Sequence, residues 1–177
     1  MCFSFPCGAF SWYNTPKTHR NERNGIRMKD HAALARENFH RGYNCAQSVA
    51  CAFSAELGME ESQVARLVCS FGGGMGRLRE VCGAVSGALF VLGALRGYGD
   101  PAATDEKAAH YARVQEFARR FRAEHETIIC RELLSGVPLQ NGNAPVPEAR
   151  TDAYYRVRPC ARFVETAARI AEAMLSE

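Results

Sequence analysis

Long apolar runs are missing from this chain. The most apolar uncharged stretch, Val81 to Leu95, has 15 residues and contains three glycines and a serine. A membrane span needs about 20 apolar residues. The stretch therefore reads as a core helix, and no membrane span is expected. Charge of one sign is not in excess either. The 22 Lys and Arg against 19 Asp and Glu leave a net charge of +3, too little to argue for a nucleic-acid partner without a clustered patch. The most basic segment, Arg119, Arg120 and Arg122, is interleaved with Glu116, Glu124 and Glu126, the pattern of a solvated helix face. The first residues lack the continuous apolar core of a signal peptide, so a cytoplasmic protein is expected.

Other absences narrow the fold and the chemistry. No segment alternates apolar and polar residues strongly enough to read as a strand. No C-x-x-C pair occurs, which argues against a zinc ribbon and a thioredoxin-type motif, and C-x-x-C-H is missing, which argues against covalent haem. The run Gly72, Gly73, Gly74 and Gly76 has neither the Lys-Ser/Thr pair nor the preceding strand of a phosphate loop.

What is present is cysteine, eight in 177 residues. Structural disulfides are rare in the cytosol, so such a count points to metal, catalysis or redox chemistry. The length suits one domain with a single core, and 47% hydrophobic residues can fill it. Residues 1–27 have Pro, Asn and Gly breakers and no helical period. They read as a disordered tail, or as an extension upstream of Met28, and carry Cys2 and Cys7. The domain is expected over 28–177.

Helical signals then follow in order. Asp30–Arg41 places Leu34, Ala35 and Phe39 inward. Asn44 is a good N-cap for Cys45–Leu57, and Gly58 stops that helix. Glu61–Cys69 forms the third helix. Cys82 opens the fourth, which runs to Arg96. The fifth starts after Pro101 and runs to Glu126 with a Tyr111, Val114, Phe117, Ala118, Phe121 stripe. Cys130 precedes a short helical turn. Residues 136–153 form one long loop. Pro159 opens the sixth helix, with Cys160, Phe163, Val164, Ala167, Ile170, Ala171 and Met174 on one face. The expected fold is all-α, a compact single-domain bundle of about five to six helices.

Four cysteines, Cys45, Cys82, Cys130 and Cys160, fall in the first turn of a helix in this reading. Unpaired amides and the positive dipole end lower a thiol pKa there. The bland alternative is four small buried residues. Cys51 and Cys69 lie among apolar residues and read as inert core fillers. Gly83 and Gly87 are four apart on one helix face and admit a close backbone, within one chain or across a homodimer. Gly74, in the glycine turn, is expected to bring backbone amides toward the sulfurs, and Gly74, Gly83 and Gly87 are the candidate cofactor-binding glycines. Arg77 and Arg79 read equally as part of that positive field and as surface residues. The histidines read as solvated.

These residues resemble the C_GCAxxG_C_C family of redox-active proteins over nearly all of residues 28–177. GYNCAQSV carries Cys45. CGAVSG supplies the motif as Cys82, Gly83, Ala84 and Gly87. Cys130 before RELL, and Cys160 in RPCARFV, supply the other two cysteines, and FGGGMG is also similar. The resemblance implies redox activity without fixing a substrate.

Three chemistries fit the set of four. One is an iron–sulfur centre ligated by Cys45, Cys82, Cys130 and Cys160, working in electron transfer with an oxidoreductase or electron-transfer partner. Another is a metal-free thiol/disulfide relay. The third is a structural zinc site in an interaction module, against which the lack of short-range cysteine pairs counts.

Overall fold

Asn44 sets the position of the central helix. The structure, a computed structural model, describes residues 30–138 and 144–177. The expected tail, with Cys2 and Cys7, lies outside the described residues. The Asn44 side chain accepts from the amides of Ala46 and Gln47, and the Gln47 side chain accepts from the Asn44 amide at 3.1 Å. This capping box satisfies amides that a helix start leaves open. Asn44 also donates to the Cys69 carbonyl at 3.0 Å, tying the helix start to the chain before the glycine turn.

The helices in order are α1 (His31–His40), α2 (Cys45–Ala52), α3 (Ser54–Leu57), α4 (Glu61–Val68), α5 (Gly72–Met75), α6 (Gly83–Arg96), α7 (Thr104–His125), α8 (Cys130–Leu133), α9 (Asp152–Val157) and α10 (Cys160–Ser176). The fold is all-α, as expected. The six longest helices match the anticipated ones, and short turns make up the rest. One expected helix, Cys45–Leu57, breaks at Phe53 into α2 and α3. Helix α9 begins at the end of the expected loop and runs past it, started by Thr151, whose side chain accepts from the Tyr154 amide. Of that loop, residues 139–143 lie outside the described residues. Among the described residues the only β pairing is an isolated antiparallel bridge between Val81 and Ile129.

Helices α1, α6 and α10 surround α2. The core is built from small residues on α2 and α6 and from larger ones, Phe39, Phe117, Phe121, Leu92 and Val164, around them. The predicted face of α10 is buried throughout, from Cys160 to Met174. Only the C-terminal part of the α7 stripe, Phe117, Ala118 and Phe121, is buried, and Tyr111 is exposed. The basic segment on α7 behaves as a charged surface: Arg119 and Arg120 both bond Glu116. His31 departs from expectation. It is buried, stacks on Phe53 with ring centroids 4.2 Å apart, and lies 2.9 Å from Glu172 and 3.2 Å from Glu56. No helix among the described residues is long and apolar enough to cross a membrane.

The glycine face of α6 receives α2 of the same chain. A methyl at Gly87 would lie 2.5 Å from the Ala46 carbonyl oxygen and 3.0 Å from its Cα. At Gly83 it would meet the Phe71 carbonyl oxygen at 2.8 Å and Cys45 Cβ at 3.2 Å. These neighbours are mostly backbone and cannot turn aside. Gly93, on the same helix, has its nearest neighbour at 4.0 Å. Gly87→Ala is expected to lower stability by about 1–3 kcal/mol through overpacking. Gly93→Ala should raise it by up to about 1 kcal/mol through helix propensity. Urea denaturation of both variants measures the opposite signs.

Candidate redox centre

Each of the four cysteines starts a helix or stands beside its first residue. Cys45 is the first residue of α2, held by the Asn44 cap. Cys82 caps α6. Cys130 and Cys160 are the first residues of α8 and α10. A short backbone pairing joins two of these starts. The Cys82 amide donates to the Ile128 carbonyl at 2.8 Å, and the Cys130 amide donates to the Glu80 carbonyl at 2.6 Å. The close approach of α2 to α6 supplies the third start. Helix α10 packs on both and supplies the fourth. The four sulfurs share one region: the charges of Cys82, Cys130 and Cys160 all act on Cys45.

Within that region Cys45 and Cys160 act on each other, and their pKa values part. The neighbouring Cys160 thiol, with burial, pushes Cys45 well above its ordinary 9.0. At Cys160 the influence of Cys45 outweighs burial, and the Arg158 and Arg150 guanidiniums act with it, so Cys160 falls to about 7. Cys82 goes the other way. Burial pushes it up to about 12, although the Ala84 and Val85 amides at the start of α6 act against it. Burial also raises Cys130, against a hydrogen bond from Arg79. A lowered pKa was expected at all four helix starts and occurs at Cys160 alone. One helix end offers partial charges, whereas dehydration acts on the full charge of the thiolate.

The glycine turn has a steric role here. Gly74 has φ +71°, and a methyl there would lie 2.7 Å from Cys130 Cβ. Arg77 and Arg79 also hold left-handed backbone, at φ +73° and +64°. This region costs a side-chain-bearing residue roughly 1–2 kcal/mol. Both arginines line the cavity beside the cysteines, and Arg79 is only 5% exposed. Arg158, 7% exposed, bonds Glu148. A cavity of about 270 Å³ opens beside Cys45, Cys130 and Cys160 and is walled by Arg77, Arg79, Arg150 and Arg158.

Sequence reasoning missed Arg150 and Arg158, which reach the sulfurs only through tertiary packing. It also misplaced Cys69, which is exposed at the rim of the same cavity. Cys51 is buried as expected, its thiol donating to the Glu61 carbonyl at 3.6 Å. Tyr154, on α9, forms another part of the cavity wall.

A helical scaffold that gathers four thiols and several guanidiniums at its helix starts belongs to the class of small cysteine-centred proteins. The family model described as "Putative redox-active protein (C_GCAxxG_C_C)" matches residues 43–174, and the chain belongs to that family. No curated protein and no solved structure matches.

The lowered pKa has a kinetic consequence. A thiol whose pKa is lowered carries its reactive thiolate at lower pH than an ordinary cysteine does. The alkylation rate of Cys160 by iodoacetamide is expected to rise with a midpoint near pH 7. Mass mapping of each cysteine against pH measures it. A midpoint near 9.0 would remove the argument for a stabilised thiolate.

Proposed function

We propose that the protein is a thiol/disulfide redox protein in which Cys160 attacks and Cys45 resolves. The observation that carries this reading is that Cys45 and Cys160 line one cavity, where each acts on the other so that the Cys160 thiolate is favoured and the Cys45 thiol keeps its proton. The Cys160 thiolate attacks one sulfur of a disulfide R–S–S–R. A Cys160–S–R bond forms, the S–S bond of the substrate breaks, and R–S⁻ leaves. That leaving thiolate takes the proton of Cys45. The Cys45 sulfur then attacks Cys160 Sγ, forms the Cys45–Cys160 disulfide and expels the second R–S⁻. Two protein thiols are oxidised and one substrate disulfide is reduced to two thiols. An oxidoreductase or electron-transfer partner restores the dithiol in the next half-cycle.

Cys82 and Cys130, held protonated by burial, have a supporting role in this scheme. Arg158 and Arg150 stabilise the Cys160 thiolate in both its attacking and its leaving roles. Stabilisation of the reduced form raises the potential of the couple.

The iron–sulfur reading draws support from one further observation. The donor set is right in kind, since four thiols share a region whose guanidiniums would offset a cluster's negative charge. Yet among the described residues no group of three or more Cys, His, Asp or Glu stands where it could hold a metal ion. The side chains as placed among the described residues do not form a ligand set for a cluster or for zinc. Cytoplasmic placement fits a dithiol that must stay reduced between turnovers.

Oxidation with bis(hydroxyethyl) disulfide is expected to remove two thiols per chain and to link Cys45 to Cys160 in non-reducing peptide maps. Cys45→Ser should stop at a mixed disulfide on Cys160, and Cys160→Ser should lose the reaction. Iron and sulfide in protein prepared without air, in amounts matching a cluster, would favour the iron–sulfur reading instead.

A further inference from the structure

The cavity beside the thiol pair has an uneven charge. Its wall carries four guanidiniums, Arg77, Arg79, Arg150 and Arg158, and a single carboxylate, Glu148. Glu148 is shared: it bonds Arg158 and lies 3.6 Å from Arg77. Buried charge without a counter-charge is costly, and the usual compensation is an ion pair.

Arg150 shows where the compensation is incomplete. No carboxylate among the described residues pairs with it. Its Nη2 donates to the Tyr43 carbonyl at 3.2 Å. Its guanidinium lies 4.5 Å from the Phe39 ring centroid and 4.7 Å from that of Tyr154. These contacts fix the plane of the group, and its Nη1 is buried with no hydrogen-bond partner. A planar, oriented guanidinium with an open donor fits a carboxylate. Cys160 stands in the same wall, 6% exposed, so the reacting sulfur lies below the protein surface. A small molecule reaches it more readily than the disulfide of a folded protein does.

We infer that the cavity binds a low-molecular-weight disulfide bearing carboxylates, with Arg150 taking a carboxylate and the S–S bond set against Cys160. The inference rests on the thiol/disulfide reading above and names the oxidant of that reaction. The exchange steps and their electron balance are those already given, with R carrying the carboxylate.

The test compares three disulfides on the reduced full chain at low ionic strength: dithiodipropionate, which is anionic, bis(hydroxyethyl) disulfide, which is neutral, and cystamine, which is cationic. Each rate is divided by the rate of the same disulfide with mercaptoethanol. The anionic disulfide should be preferred over the neutral one by about tenfold or more, with the cationic one slowest, and salt should erode the order. Arg150→Gln should collapse the preference. A binding measurement avoids reliance on that variant. Suberate, which replaces the S–S of dithiodipropionate by CH₂–CH₂, should bind by calorimetry and slow iodoacetamide alkylation of Cys160. Octanediol, its neutral counterpart, should do neither. Reaction with the neutral disulfide, no anion preference and no suberate binding would overturn the inference and leave the thiol pair standing. No reaction with any of the three would remove the thiol-pair reading, and this inference with it.

Discussion

The contact of α2 with the glycine face of α6 is the constraint on which the rest depends. Ala46 lies where a side chain on Gly87 would have to be, and Cys45 Cβ lies against Gly83. The contact fixes the start of α2 beside the start of α6, and so Cys45 near Cys82. The Asn44 cap then sets where α2 begins, and its bond to the Cys69 carbonyl sets where the glycine turn departs. Larger residues on α6 would push the helices apart and separate the cysteines. The motif spacing is therefore first a packing requirement. Its chemical result is that helix starts meet.

Bringing helix starts together has opposing electrostatic effects. Amides and dipole ends favour thiolates, while the burial that close packing produces disfavours them. At Cys82 and Cys130 burial wins. At Cys160 it loses, because the neighbouring Cys45 thiol and two guanidiniums together favour the thiolate. The centre is thus asymmetric although its four members look alike in the sequence. In the proposed exchange reaction, that asymmetry distinguishes the sulfur that attacks from the one that follows.

Much of the scaffold was legible because local signals and burial agree. Asn44 caps where expected, Gly58 ends a helix, and the apolar spacing of α10 matches its buried face. The four helix starts followed from the same signals, as did the close approach at Gly83 and Gly87. Elsewhere the deciding interactions were long-range. The break at Phe53 follows from no breaker residue. The pairing that joins Cys82 to Cys130 is too short to show an alternating pattern. His31 is drawn inward by Phe53 and by carboxylates from other helices. Arg150 lies in a segment without regular structure, and nothing local marks its approach to Cys160. The scaffold of the centre could be read from the chain, but its charge could not.

The most direct test is a redox titration of protein prepared without air. The protein is equilibrated with thiol/disulfide buffers, and its thiols and visible spectrum are followed together. The account predicts a two-electron transition, about 30 mV per tenfold change in ratio, that removes two thiols and leaves the protein colourless. A one-electron transition that bleaches visible bands without changing the thiol count would contradict it.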